Sequence, residues 1–145
     1  MKHIHFDTES DGFYGAYWEC RGGSDCTVIA MLGDDPEDYM ARSAVKWLLR
    51  LGVNVLTMSP AKKDYSHHNY PLECIEKAIA WLKLHGSAKI GIAGASTTGT
   101  LALTAASIFD DISLTVAMTP SDFVWQGFMQ GKKDGCKEWP IEGES

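Results

Sequence analysis

The stretch Lys89 to Leu103, KIGIAGASTTGTLAL, decides how the rest of the chain is read. An apolar run with β-branched residues, Ile90 to Ala93, ends at Gly94. Ala95, Ser96, Thr97, Thr98 and Gly99 follow, and a run rich in Ala and Leu resumes from Leu101. The first run has the length of a buried strand and the second reads as a buried helix. A serine held in the few residues between them sits at the carboxyl edge of an open sheet, where α/β folds place their chemistry. The segment predicts a strand–turn–helix elbow with Ser96 at its tip.

Outward from this elbow the chain alternates. Thr27 to Leu32 (TVIAML), Val53 to Met58 and Ile112 to Met118 are short apolar runs, as expected of strands covered on both faces. After the first of them, Gly33, Asp34 and Asp35 break the pattern. Asp35 is the expected N-cap and Pro36 the first helical position. The helix from Glu37 to Leu51 is expected to turn Met40, Ala44, Trp47, Leu48 and Leu51 inward, with Gly52 ending it. A polar loop, Ser59 to Tyr70, leads to a helix begun by Pro71 and stopped by Gly86, its inward face Leu72, Ile75, Ile79 and Leu82. A third helix is expected over Thr97 to Phe109. The opening differs in character: His3 to Asp7 reads as an edge strand, Ser10 to Gly12 as a turn, Phe13 to Cys20 as an aromatic strand and Arg21 to Asp25 as a hairpin-type connection. The fold class expected is α/β: a mostly parallel sheet with helices on both faces and an antiparallel N-terminal ribbon. It forms one domain whose sheet core is 1–120. Residues 121–145 read as the start of a cap or lid segment.

Composition excludes several classes. The 145 residues are 45% hydrophobic and 22% charged, as in a globular domain. A net charge of -6 argues against a nucleic-acid or anionic-membrane surface. No run approaches the ~20 apolar residues of a membrane span, and the start, MKHIHFDTESDG, has no apolar signal-peptide core. Cys20, Cys26, Cys74 and Cys136 form no CxxC pair and no Cys/His cluster with zinc spacing, so they read as reduced thiols of a cytoplasmic protein. No metal and no organic cofactor is expected.

Three readings of Ser96 compete. A nucleophile elbow needs small neighbours so that strand and helix approach closely, and Gly94 and Ala95 meet that need. The helix N-terminus behind the serine favours a developing oxyanion. The Thr97 amide is then one oxyanion donor, and the second is expected from the loop at Gly33 and Asp34. A phosphate loop has the G-x-x-x-x-G spacing of Gly94 to Gly99, but Thr100 stands where a Walker lysine belongs. In the third reading Ser96 is only an N-cap. The usual elbow is G-x-S-x-G. Here Thr98 replaces the last glycine, with Gly99 one place later, and a β-branched residue there is expected to crowd the helix–strand approach.

With the order of elements, Leu32-Gly33 followed by Asp38-Tyr39, the helix end Leu51-Gly52, Gly94-Ala95-Ser96, and the segment Thr119-Pro120-Ser121 through Val124-Trp125-Gln126-Gly127, the chain resembles an α/β-hydrolase. More narrowly, it resembles the C-terminal catalytic domain of the acyl-CoA thioester hydrolase and bile acid-CoA:amino acid N-acyltransferase group. The resemblance implies Ser96 as nucleophile, attack on an ester or thioester carbonyl, and an acyl-enzyme resolved by water or an amine. In this fold the triad acid and then the histidine follow the serine. His3, His5, His67, His68 and His85 all precede it. The expectation is a hydrolase fold with its C-terminal strands missing. The remainder lies on a separate polypeptide, the chain self-associates, or it is a truncated product without full activity. A non-catalytic hydrolase-like module that binds a ligand or partner is the competing class.

Other residues carry weaker signals. Asp34 touches substrate or merely ends the strand. Trp125 and Phe128 line an acyl pocket or pack in a core. Lys62, Lys63, His67 and His68 read as a solvated loop, and His3 and His5 are expected to face solvent from an edge strand.

Overall fold

The short apolar runs become strands because each offers large side chains to two faces at once. A computed structural model describes residues 3–33, 35–59 and 70–120. Asp34, Lys62, Lys63, His67, His68, Trp125, Phe128 and Cys136, and with them the cap segment, lie outside the described residues. Among the described residues the strands are β1 (His3–Phe6), β2 (Gly15–Trp18), β3 (Cys26–Met31), β4 (Asn54–Met58), β5 (Lys89–Ala95) and β6 (Ile112–Met118). They form one sheet in the order β1-β2-β4-β3-β5-β6. The pairs β1–β2 and β2–β4 are antiparallel, and β4–β3, β3–β5 and β5–β6 are parallel. This is the partial α/β-hydrolase fold expected from the chain: an antiparallel ribbon at one edge, then a parallel sheet.

The helices are α1 (Thr8–Asp11), α2 (Tyr39–Arg50), α3 (Leu72–Leu84) and α4 (Thr97–Ile108). Both α3 and α4 pack on one face, where Ile75, Ile79, Leu82, Ala102 and Ala105 close the main core over Ile29, Met31, Leu56, Met58, Ile90 and Ile92. Helix α2 covers the other face, with Val45 against Ala16, Trp18, Ala30 and Val55, and Leu48 and Leu49 packed alongside.

Several expectations change. The segment Arg21 to Asp25 is not a hairpin connection. β2 pairs with β1 and β4, and the chain crosses to place β3 between β4 and β5. A strand as apolar as β3 belongs inside the sheet, where α2 on one face and α3 and α4 on the other cover its side chains. The turn at Ser10 to Gly12 belongs to the one-turn helix α1, capped by the Asp7 side chain on Glu9 N and closed by left-handed Gly12. Helix α2 starts two residues later than expected. Its N-cap is Asp38, whose carboxylate accepts from Ala41 N at 2.9 Å, while Asp35 forms a turn with Glu37 N at 2.8 Å. The helix is also rotated from the expected face. Ala41 and Val45 are buried, whereas Met40, Trp47 and Leu51 are exposed, Trp47 at 63%. Small side chains let the helix axis approach the sheet, so the seam follows Ala41, Val45, Leu48 and Leu49 rather than the bulkiest residues.

Strand β6 ends the sheet. Its alternate residues Leu114, Val116 and Met118 pair with Gly91, Ala93 and Ala95 of β5. Because Ala93 is also paired with Ala30, which packs under α2, these three side chains point to the α2 face. No described element covers them, and Leu114 is 63% exposed.

Candidate active site

The carboxyl edge of the parallel strands gathers the candidate residues. β5 ends at Ala95, Ser96 is the N-cap of α4, and Thr97 is that helix's first residue. Ser96 has φ 57° and ψ -121°, a conformation that L side chains rarely adopt. Three bonds hold it there. Its own N–H donates to Met118 O at 2.8 Å, its carbonyl accepts from Thr100 N at 3.1 Å to open the helix, and the preceding Ala95 N–H donates to Thr98 Oγ1 at 2.9 Å. The Ser96 side chain is exposed and makes no cap hydrogen bond. The capping role weighed for it is therefore not the one its hydroxyl performs.

The glycines explain how so sharp a turn fits. A Cβ on Gly94 would lie 2.2 Å from Thr98 O, and one on Gly99 would lie 3.1 Å from Met118 O. Strand and helix are in backbone contact at Gly94, so the close approach needs a glycine there. The expected crowding by Thr98 does not occur. Its side chain is accommodated and buried at 4% exposure, with Oγ1 2.7 Å from Met31 O and 2.8 Å from Ala95 O.

Gly33 stands at the end of the neighbouring strand. Met31 of β3 pairs with Gly94 of β5, so Gly33 and Ser96 each lie two residues beyond paired positions on adjacent parallel strands. Gly33 has φ 93°, and a Cβ there would meet Asp38 Oδ1 at 2.4 Å. Asp38 thus caps α2 and fills the space beside Gly33, and it also accepts from Asp35 N at 3.2 Å. The Gly33 carbonyl accepts from buried Ser59 Oγ at 3.3 Å, and no described residue accepts from the Gly33 N–H. The structure therefore brings Ser96, Thr97 and Gly33 to one edge. Asp34 and Trp125 lie outside the described residues.

No described histidine joins them. His3 and His5 are on β1, four strand spacings from β5, or roughly 19 Å at ~4.8 Å per strand. Both are exposed, as expected of an edge strand, but they are not merely solvated. His5 Nδ1 lies 2.9 Å from Glu37 Oε2, His3 Nε2 lies 3.5 Å from Glu37 Oε1, and His3 stacks on Trp18 at 4.0 Å. His85 caps the far end of α3 and stacks on Trp81 at 3.8 Å. Among the described residues no group of three or more His, Cys, Asp or Glu side chains is placed to hold a metal, and Cys20 and Cys26 are free thiols. No helix among them is long and apolar enough to cross a membrane. What sequence reasoning missed is the part played by Thr98 and Asp38. The signal was present in each case: a hydroxyl two residues past the serine, and an Asp three residues before Ala41.

Comparison with known proteins agrees with the fold. The family model described as BAAT / acyl-CoA thioester hydrolase C terminal matches residues 70–144. Est1E from Butyrivibrio proteoclasticus is similar in structure, with a TM-score of 0.62 at 20% identity over 83% of this chain and 51% of its own. The Pyrococcus furiosus esterase Pf2001 is similar in two crystal forms. One has a TM-score of 0.62 at 25% identity, covering 82% of this chain and 48% of its own. The other has a TM-score of 0.58 at 20% identity, covering 81% and 55%. The chain spans about half the length of these solved structures. No curated protein sequence matches it.

Proposed function

The chain belongs to the BAAT / acyl-CoA thioester hydrolase C-terminal family, and from that premise we propose that it carries the nucleophile and oxyanion site of a serine acyl hydrolase or acyltransferase acting on an ester or thioester. The observation that carries this reading is Ser96 itself: a strained backbone at the carboxyl edge, with an exposed hydroxyl that caps nothing. Strain of this kind persists where the surroundings over-determine it, and functional sites collect it.

In the proposed reaction Ser96 Oγ attacks the acyl carbonyl carbon while a base takes its proton. The carbonyl electrons move to oxygen, and the oxyanion is met by the Thr97 and Gly33 amides in front of the α4 N-terminus. Collapse breaks the C–O or C–S bond, and the alcohol or thiol leaves with a proton. Water, or an amine in the transferase case, then releases the acyl group from Ser96. The base and its acid come from residues outside this chain, because every histidine precedes Ser96, whereas the fold's triad order places acid and histidine after it. We take their source to be the remaining part of the hydrolase, and the exposed apolar residues Leu114, Val116 and Met118 of β6 favour cover by that part or self-association. Asp34 and Trp125 are proposed to line the substrate site. A cytoplasmic setting is part of the proposal, since that compartment keeps thiols such as those of Cys20 and Cys26 reduced.

The competing reading is a ligand-binding module without catalysis. A fluorophosphonate probe separates the two. The chain is labelled alone and after co-expression with the polypeptide encoded downstream, with Ser96→Ala as control. Labelling at Ser96 that appears or rises strongly with the downstream polypeptide is the expected result. Absence of labelling in both states removes Ser96 as nucleophile.

A further inference from the structure

Thr98 stands where the usual elbow has a glycine, and its hydroxyl touches both arms of the candidate site. On one side Oγ1 accepts from Ala95 N at 2.9 Å and lies 2.8 Å from Ala95 O, so it grips the residue immediately before Ser96. On the other it lies 2.7 Å from Met31 O, the last residue of β3, two residues before Gly33. A threonine in a first helical turn ordinarily turns its hydroxyl to solvent or to its own helix. This one is buried, at 4% exposure, and reaches across to a neighbouring strand.

We propose that Thr98 is a positioning residue: its hydroxyl latches the nucleophile turn at Ala95–Ser96 to the end of β3 and so sets the place of the Gly33 amide relative to Ser96 Oγ. The proposal rests on the reading of Ser96 as nucleophile. The latch suits a strained turn. Ser96 is held from one side by Met118 O on β6, and Thr98 supplies the matching hold from β3 on the other side. The hydroxyl's single proton goes to Met31 O or to Ala95 O, and its lone pair takes the Ala95 N–H. A glycine at this position leaves the Ala95 N–H and Met31 O without this partner. The hydroxyl, rather than the volume of the side chain, is therefore the working part.

The test compares wild type with Thr98→Ser, which keeps the hydroxyl, and Thr98→Val, which keeps the shape without it. Thr98→Ala stands in if the valine variant does not fold. Two readouts are taken well below the melting temperature. Amide hydrogen exchange at Ala95, whose N–H donates to the Thr98 hydroxyl, is expected to quicken at least tenfold in Thr98→Val and to stay near wild type in Thr98→Ser. The rate of fluorophosphonate labelling at Ser96, in the form that labels, is expected to fall roughly ten- to a hundredfold in Thr98→Val. That is short of the ~10²–10³ lost when an oxyanion donor is deleted outright, and serine should restore most of it. Unchanged exchange overturns the latch. Faster exchange with an unchanged labelling rate overturns the positioning role and leaves Ser96 standing as nucleophile. A wild type that never labels removes the Ser96 reading and this proposal with it.

Discussion

Ser96 holds φ 57° and ψ -121° through bonds from three directions: Met118 O, Thr98 Oγ1 at the adjacent Ala95, and Thr100 N. A serine in that region costs of order 1–3 kcal/mol relative to a relaxed residue. Glycine occupies positive φ without that cost, though it gives part of the gain back through the entropy of the unfolded chain. Ser96→Gly is therefore expected to stabilise the fold by about 1 kcal/mol, read as a higher urea midpoint at unchanged slope, while abolishing fluorophosphonate labelling. A serine that served only as a cap would give the opposite sign in stability. The same reasoning separates Gly94 from Gly99. Backbone atoms at 2.2 Å exclude any Cβ on Gly94, whereas 3.1 Å at Gly99 is tight but negotiable.

At the scale of elements, α2 shows how packing overrides bulk. Its large residues Met40, Trp47 and Leu51 are exposed, and its seam is Ala41, Val45, Leu48 and Leu49. Its start is set by Asp38, which caps Ala41 N and also walls off Gly33, so the helix and the loop before it are built by one carboxylate. Two truncations test the rotation. Val45→Ala should cost about 1–3 kcal/mol in thermal or urea denaturation, the range for removing buried methyl groups. Trp47→Ala should cost within about 0.5 kcal/mol, as for an exposed position. The reverse order of effects would restore the face that the bulky residues suggest.

For the molecule as a whole, the two faces of the sheet are unequally covered. α3 and α4 close one face. On the other, α2 sits over β3 and β4, and no described element covers Leu114, Val116 and Met118 of β6 beside it. Exposed apolar side chains of this kind favour association. The isolated chain is expected to self-associate at micromolar concentration, and Leu114→Lys with Val116→Lys should reduce that association, measured by sedimentation. A monomeric wild type contradicts the expectation. Alkaline stability depends on Tyr17, in the main core. Burial first, then the Glu19 carboxylate, raises its phenol above the ordinary 10.0, with a hydrogen bond to Thr27 opposing in part. The folded state thus holds this proton more tightly than the unfolded state. The stability it contributes is whole below about pH 10 and is lost as pH rises through the raised value. Unfolding free energy should decline above pH 10, and Tyr17→Phe should remove part of that decline.

The strand–turn–helix elbow, the alternation of strands and helices and the place of Ser96 were legible in the chain itself. Each depends on local facts: the length of an apolar run, a glycine that permits a turn, a small residue beside a serine. Residues 89 to 103 carry their own geometry in this way. The tertiary structure alone decided the rest. Strand order was not legible, because Arg21 to Asp25 looks locally like a hairpin whatever strand β3 pairs with. The face of α2 was not legible, because which side packs depends on how closely the sheet lets the helix approach. Thr98 read as an obstacle in the motif. Only the meeting of β5, α4 and β3, residues 67 positions apart in the case of Thr98 and Met31, turns its hydroxyl into a link between the two arms of the site.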